Sequence, residues 1–493
     1  MNIRHLLLIL ILGAFSIGLV AQNQTKEITD YSNSRVWEEM MLDHTINFFE
    51  TQRAFYAYWE NRTPTRGSGY KVFKRWEYYW YTRIKPNGEF PKPGQVYNEY
   101  TRFVKENPVD GRMKTGQLEW MELGPKTRVN YGGYVGVGRV NAIAFHPTDQ
   151  NKIYIGSPSG GFWYSNNGGA SWATSTDTLP TLGVSAIAIH PENPDVILIG
   201  TGDDDGGSDQ GMGVFRSEDG GLTWAESNNG MPNLTICIFR PHESDPNILL
   251  AGTKGGGIYK TLDFGQTWTK TGAPDRNFRN IEYKPGDMSV VYASENGFWR
   301  SADGGDTWAQ IGSDEGLTKT GRMVIDVTRA NDSIVYVLVG GSSFEGLFQS
   351  RDFGQTFSLQ SDSPNILGWS LTADDDGSQS GYDLIIHADP SIPNLIHIGG
   401  VNLWKSSNGG ETWSITGHWT GAGGQTNAVH ADQHDFALNP LNNRIYVGND
   451  GGLYWTNNHG ATWTEVSEGL GIGQMYKLGV SLTNKNKVIT GFQ

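Results

Sequence analysis

The sequence predicts an all-β, multi-bladed β-propeller preceded by a small aromatic-rich helical segment, and three observations carry that prediction. One octapeptide recurs seven times. The same short apolar runs flank each copy. The composition suits short strands and tight turns: Gly makes up 65 of 493 residues, with 17 Trp and 21 Tyr, against a usual Gly share of about 7%.

The octapeptide reads Ser/Thr-x-Asp/Asn-x-Gly-x-Ser/Thr-Trp/Phe. Its copies are 165–172, 217–224, 261–268, 301–308, 350–357, 406–413 and 456–463, ending 40–56 residues apart. A repeat of that period marks a modular fold. The motif chemistry is that of a turn. The Asp or Asn accepts hydrogen bonds from following amides. The Gly two residues on supplies a positive φ, and the Trp covers the turn. These seven side chains are therefore read as turn builders, not catalysts. Before each turn comes a run such as Gly161–Ser165, Gly257–Thr261 or Gly297–Ser301. Before that come Ile153–Gly156 and its counterparts, and before those Val140–Pro147 or Ser185–Pro191. Four short antiparallel strands per repeat make one propeller blade. Seven blades run from about 139 to 467. Gln474–Leu482 and Lys487–Phe492 read as the first two strands of an eighth, with Leu118–Leu123 as a closing strand from the N-terminal side. On that reading the propeller is cut short at residue 493.

The N-terminal part differs. Leu6–Val20 is an almost wholly apolar run after Arg4 and His5, the pattern of a secretory signal over 1–21. No later segment is long and apolar enough to span a bilayer. Residues 22–117 form an aromatic-rich segment ahead of the propeller at 118–493. Within it Ser34 is a candidate N-cap, and Trp37, Met41, Phe48, Phe55 and Trp59 form one stripe of a long helix. The Trp76–Tyr81 run is either a hydrophobic clasp or a sugar-stacking face. Pro86–Pro93 reads as a linker or ordered loop. The single cysteine, Cys237, leaves no intramolecular disulfide and reads as a buried thiol. The formal charge of −14 argues against a nucleic-acid partner, because phosphate binding needs a basic face.

Candidate chemistry gathers on the rim opposite the octapeptide turns. Asp203, Asp204, Asp205 and Asp209 fall in the loop between the second and third strands of blade two. Asp450 falls in the equivalent loop of blade seven. His430, Asp432 and His434 enter the first strand of blade seven. In an extended chain these three share one face, a donor set for Zn²⁺ or another transition metal, with Asp435 or Asp450 orienting a ligand. The other reading of the same residues is a polar, hydrogen-bonded plug in the channel mouth. The 203–205 run offers Ca²⁺ ligands or a solvated loop, and Asp374–Asp376 a solvated loop. For glycosidic chemistry, which takes two carboxylates, the candidates are Asp204, Asp432 and Asp450. Arg139, Arg279 and Arg322 are the candidates for clamping an acidic sugar.

The seven octapeptides resemble the Asp-box (bacterial neuraminidase repeat) propellers, specifically the sortilin-like group of exported bacterial proteins. Gly156–Gly161, Thr201–Asp203, His430–His434, Gly448–Gly452 and Gly491–Gln493 carry the same likeness. The aromatic 34–91 segment looks like the leader of surface proteins that bear a C-terminal sorting domain for type IX secretion. The resemblance implies a secreted or outer-surface location and further blades downstream. It says little of activity. The sialidase Phe/Tyr-Arg-Ile/Leu-Pro signature is missing, and Ser157-Pro158-Ser159 stands where xyloglucanase-type propellers carry an Asp. The expectation is a non-catalytic binding or adhesion module for protein or glycan at the propeller rim. The alternative is a glycoside hydrolase or a metal-dependent hydrolase.

Overall fold

A computed structural model describes residues 31–492 except 66–67, 93, 108–123, 125, 127–135, 208, 422–426 and 485–486. Residues 1–21, expected to be a secretory signal, and the closing strand expected at Leu118–Leu123 lie outside the described residues. The chain divides into two compact units, Met1–Lys92 and Pro93–Gln493.

In the first unit the expected long helix is two, Trp37–Met40 and Phe48–Trp59. The chain breaks between them because polar side chains bind nearby backbone. Asp43 accepts from the Thr45 amide at 2.9 Å, and Asn47 caps the second helix through the Phe49 amide at 3.0 Å. Such side chains compete with helical hydrogen bonds. The aromatic run lies on a third helix, Tyr70–Tyr81. Its Trp76 stacks on Phe48 at 5.1 Å, and Trp80 meets Phe90 edge-on at 4.9 Å. Those indoles clasp the interior of their own unit, whereas Tyr78 and Tyr81 face solvent.

The second unit is a seven-bladed β-propeller. The inner strands are Ala142–Phe145, Val184–Ile189, Ile236–Pro241, Asn280–Lys284, Arg322–Val327, Ile385–Ala388 and Gln433–Asn439. From each, consecutive antiparallel strands run outward in sequence order, four to a blade, and a short parallel strand at Asn427–Ala428 is added to the sixth. Side chains on the inner strands tie neighbouring blades. Asn280 Oδ1 accepts from the Ile325 amide at 2.6 Å, Asp326 Oδ2 from Ala388 at 2.7 Å, and Asp435 Oδ2 from Ile143 at 2.8 Å. Arg240 Nε donates to Ile281 O at 2.7 Å.

The octapeptide turns are built as expected, with one partner more. The Asp or Asn accepts from the amide four residues on in all seven, at 2.8–3.1 Å. The first residue's hydroxyl also accepts from the Gly amide in all seven, at 2.8–3.0 Å. The indoles do more than cover their turns. Those of Trp224, Trp268, Trp413 and Trp463 donate to the preceding blade, and that of Trp172 donates to Val466 of blade seven.

The ring closes between blades seven and one. Val137 and Val140 donate to Gly451 O and Asn449 O, each at 3.0 Å, and Val140, Ile153 and Ile155 share a core with Tyr446 and Leu453. The two strands read as an eighth blade do form, as Met475–Val480 and Val488–Phe492, but among the described residues they pair only with each other, in a separate two-stranded sheet. With blade seven's neighbour already in place, no gap in the ring is left for them. No helix among the described residues is long and apolar enough to cross a membrane.

Candidate functional site

The inner strands of all seven blades line an axial cavity of about 890 Å³. Its floor is the rim that carries the candidate residues. These come from far apart in sequence because every inner strand starts at this end. Arg139, Arg279, Arg322, Asp383 and His434 all stand at, or within three residues of, the start of an inner strand.

At the centre is His434, whose side chain is fully buried. Its Nδ1 lies 2.9 Å from Asp205 Oδ2 and its Nε2 lies 2.9 Å from Asp450 Oδ1. Burial works against protonation, but the two carboxylates outweigh it and carry the imidazole to a pKa of about 10. It is therefore an imidazolium with both nitrogens donating. Burial would raise Asp205, yet Arg322, His434 and Arg279 together hold it well below the usual carboxylate range. Its Oδ1 lies 3.2 Å from Arg322 Nη2 and 3.5 Å from Arg279 Nη1. On the other side, Tyr382 OH donates to Asp450 at 3.0 Å and accepts from Arg139 Nη1 at 3.2 Å. Arg139 Nη2 bonds Asp203 Oδ2 at 2.6 Å. Blades one, two, four, five, six and seven are thus knotted by one charged network, the polar plug read from the sequence.

The geometry does not gather His430, Asp432 and His434 into one donor set. Both ring nitrogens of His434 are taken up by Asp205 and Asp450. Asp432 has φ +65°, which breaks the alternation that would set the three on one face, and the inner strand begins only at Gln433. The His430 ring packs where a Cβ on Gly451 would fall, at 2.3 Å. Among the described residues, no three His, Cys, Asp or Glu side chains already converge on one point. Asp203, Asp204 and Asp205 do not form an exposed calcium loop either, since two of them are ion-paired to arginines inside the plug and Asp204 is buried. The three arginines are drawn together, but their partners are the chain's own aspartates.

Three carboxyls differ in state. Asp450 stays ionised: burial opposes this, but His434 and Arg139 hold its pKa down. Burial and the charge of Asp450 push Asp432 up to about 6. Burial and Asp432 push Asp383 well above the carboxylate range. Asp383 therefore stands beside Asp432 as a neutral acid, able to donate to it. Gln379 Nε2 donates to Asp432 Oδ1 at 3.0 Å, and the Asp450 amide donates to Asp432 O at 3.3 Å. Asp432 and Asp450 keep some solvent exposure. Asp204, raised to about 7 by burial and by Asp205, lies on the cavity side, away from this pair. Sequence reasoning missed Gln379, Tyr382 and Asp383, which sit in a Ser/Gly/Asp-rich stretch without periodicity. Their position just ahead of an inner strand, like that of the arginines, was the available signal.

No protein-family model matches the chain. It is 24% identical over 342 residues to a xyloglucanase of Acetivibrio thermocellus, covering 58% of this chain and 39% of that protein. It is 26% identical over 318 residues to a xyloglucanase of a Paenibacillus species, covering 60% and 27%. It is 26% identical over 215 residues to sortilin of Rattus norvegicus, covering 41% and 24%. The chain thus spans about two fifths or less of the length of these relatives. In structure, the xyloglucanase from Xanthomonas campestris superposes with a TM-score of 0.55 at 16% identity, over 74% of this chain and 59% of that one. The propeller fold is shared with these proteins, and the sequence likeness is to xyloglucanases and, in part, to sortilin.

Proposed function

We propose that the chain is a carbohydrate-recognising propeller of glycoside hydrolase type, acting at the blade six–seven side of the plugged mouth. The observation that carries this is the divergence of two neighbouring carboxyls, Asp432 with a pKa of about 6 and Asp450 held ionised. Environments that push two carboxyls apart assign one as acid and one as base. Asp432 would protonate the glycosidic oxygen. Asp450 would serve as the carboxylate, with Tyr382 and His434 fixing its orientation. Asp383 would position and hydrogen-bond Asp432. The likeness to xyloglucanases supports a β-glucan ligand, and a secreted or outer-surface location, with the sorting-domain context of the exported proteins it resembles, belongs to the same proposal.

A second reading, glycan binding without hydrolysis, is favoured by two facts. Asp450 is already satisfied by His434 and Tyr382, and no carboxylate occupies Ser157–Ser159. The test is incubation of the purified chain with xyloglucan, scoring new reducing ends and retention in affinity electrophoresis. Hydrolysis lost in Asp432→Asn with retention intact supports the first reading. Retention without hydrolysis in the parent chain supports the second. Neither retention nor hydrolysis overturns both.

A further inference from the structure

The repeat makes departures from it visible, and two of them fall on the rim that carries Asp432. From an outer strand to the next inner strand the chain takes nine or ten residues after blades one to four, over 175–183, 227–235, 271–279 and 312–321. After blade five it takes 362–384, and after blade six 419–432. Connections of more than about 12 residues are uncommon in a compact domain and are usually binding loops or lids. These two flank blade six, and between them they supply Gln379, Tyr382, Asp383 and Asp432.

They also supply Trp369 and Trp419. Trp369 is 38% exposed, the one exposed tryptophan among the described residues. Its backbone is nonetheless firmly held. The Trp369 amide donates to Asp375 Oδ2 at 2.7 Å and the Ser370 amide to Asp375 Oδ1 at 3.2 Å. Asn365 Nδ2 donates to the carbonyls of Asp375 at 2.9 Å and Gly377 at 2.8 Å. The Trp419 indole donates to Trp369 O at 3.2 Å, which latches the two long connections together. Gly377 has φ +105°, and a Cβ there would fall 3.0 Å from the Trp369 ring. The ring thus rests on bare backbone with its remainder toward solvent. These bonds fix the indole in place without covering it, which a packing role would not need.

We propose that Trp369 is a sugar-stacking platform that holds one pyranose of a bound glycan chain away from the carboxyl pair, a role that rests on the glycan reading above. A fixed indole offers a flat apolar face and little rotamer freedom to lose. Gly377, under the ring, is two residues from Gln379, which donates to Asp432 at 3.0 Å. Two residues of chain reach no further than about 7 Å, so the ring stands within a few sugar units of Asp432. Asp376 precedes Gly377 and is exposed, an acceptor for hydroxyls at the edge of the stacked sugar. The ligand is then a chain long enough to reach both places, and a disaccharide is too short.

The experiment is affinity electrophoresis of the full chain in gels holding xyloglucan, hydroxyethylcellulose or galactomannan, with thermal melting alongside. The parent should be retained by xyloglucan, and Trp369→Ala should bind it about tenfold more weakly or less while melting as the parent does. Trp369→Tyr keeps a stacking ring and should keep most of the retention. Tyr78→Ala removes an exposed ring of the first unit and should be retained like the parent. Added cellohexaose should release the parent from the gel where cellobiose does not. Retention of Trp369→Ala equal to the parent's overturns the platform and leaves the glycan reading standing, as does a loss seen in Tyr78→Ala instead, or release by cellobiose as effective as by cellohexaose. Retention by galactomannan alone, lost in Trp369→Ala, upholds the platform and overturns the β-glucan reading. No retention of the parent in any gel overturns both.

Discussion

The indole of Trp172 donates to the carbonyl of Val466 at 2.9 Å across 294 residues of sequence. With the Val137 and Val140 amides, it joins the first blade to the seventh, and among the described residues no strand is exchanged between them. Trp172→Phe keeps most of the ring's bulk and deletes the donor, at a cost of about 1 kcal/mol. The sharper expectation is local. Hydrogen exchange at Val137 and Val140 should quicken at least fivefold. In Trp308→Phe, whose lost bond lies within its own turn, those two amides should exchange as in the parent.

Two glycines separate backbone strain from crowding. Gly286 has φ +75° with open space where a Cβ would stand, so Gly286→Ala meets only the left-handed penalty of about 1–2 kcal/mol. Gly230 has φ +92°, and its Cβ would fall 2.0 Å from Trp268 O. That carbonyl belongs to the next blade's turn and cannot yield without moving it. Gly230→Ala should cost about 2–5 kcal/mol in all, read from urea unfolding. Equal losses at the two sites would show that the blade interface gives way more easily than its packing indicates.

What the sequence made legible follows from which contacts are local. The octapeptide is a closed local unit, so its period showed the blades and their four strands. The Trp bonds to the preceding blade were hidden, because a repeat does not say what its neighbour offers. Whether the strands at 475–480 and 488–492 join the ring was also hidden. The pattern of an inner strand is the same whether or not a place remains for it. At the rim, strand order was enough to bring Asp204, Asp432, Asp450 and His434 to one end. It could not show that His434 is gripped by Asp205, 229 residues away, or that the positive φ of Asp432 turns its carboxyl from the expected face.

The plug should make stability fall toward alkaline pH. His434 titrates near 10 in the fold and near 6.5 outside it. Its contribution is therefore complete below pH 6.5 and lost as pH rises through 10. Asp435 and Glu282, raised by burial to about 7 and about 8, act with the same sign. They hold protons that the unfolded chain has released, and their contribution disappears as pH passes those values. The melting temperature should thus be higher at pH 6 than at pH 9.5. His434→Gln strands Asp205 and Asp450 without their cation, costing about 3–5 kcal/mol at neutral pH, and should flatten the slope between pH 8 and 10. A melting temperature that rises toward pH 9.5 would contradict the charge assignment of His434.

Hydrolysis, if Asp432 donates the proton, must follow the protonation of that carboxyl. With its pKa near 6, the rate should hold below pH 6 and fall about tenfold per unit above it. Asp450, held ionised by His434, sets no limit until well into the acid range. The neutral Asp383 beside Asp432 favours its ionised form, so Asp383→Ala should move the alkaline limb upward. A residue that merely packed there would change the height of the profile and leave the limb where it was. Asp432→Asn should lower the rate by about 10²–10⁴ below pH 6 and abolish the alkaline limb, with xyloglucan still retained in the gel. A limb that stays in place in Asp383→Ala would remove Asp383 from its positioning role, and a profile flat to pH 8 would remove Asp432 as the acid.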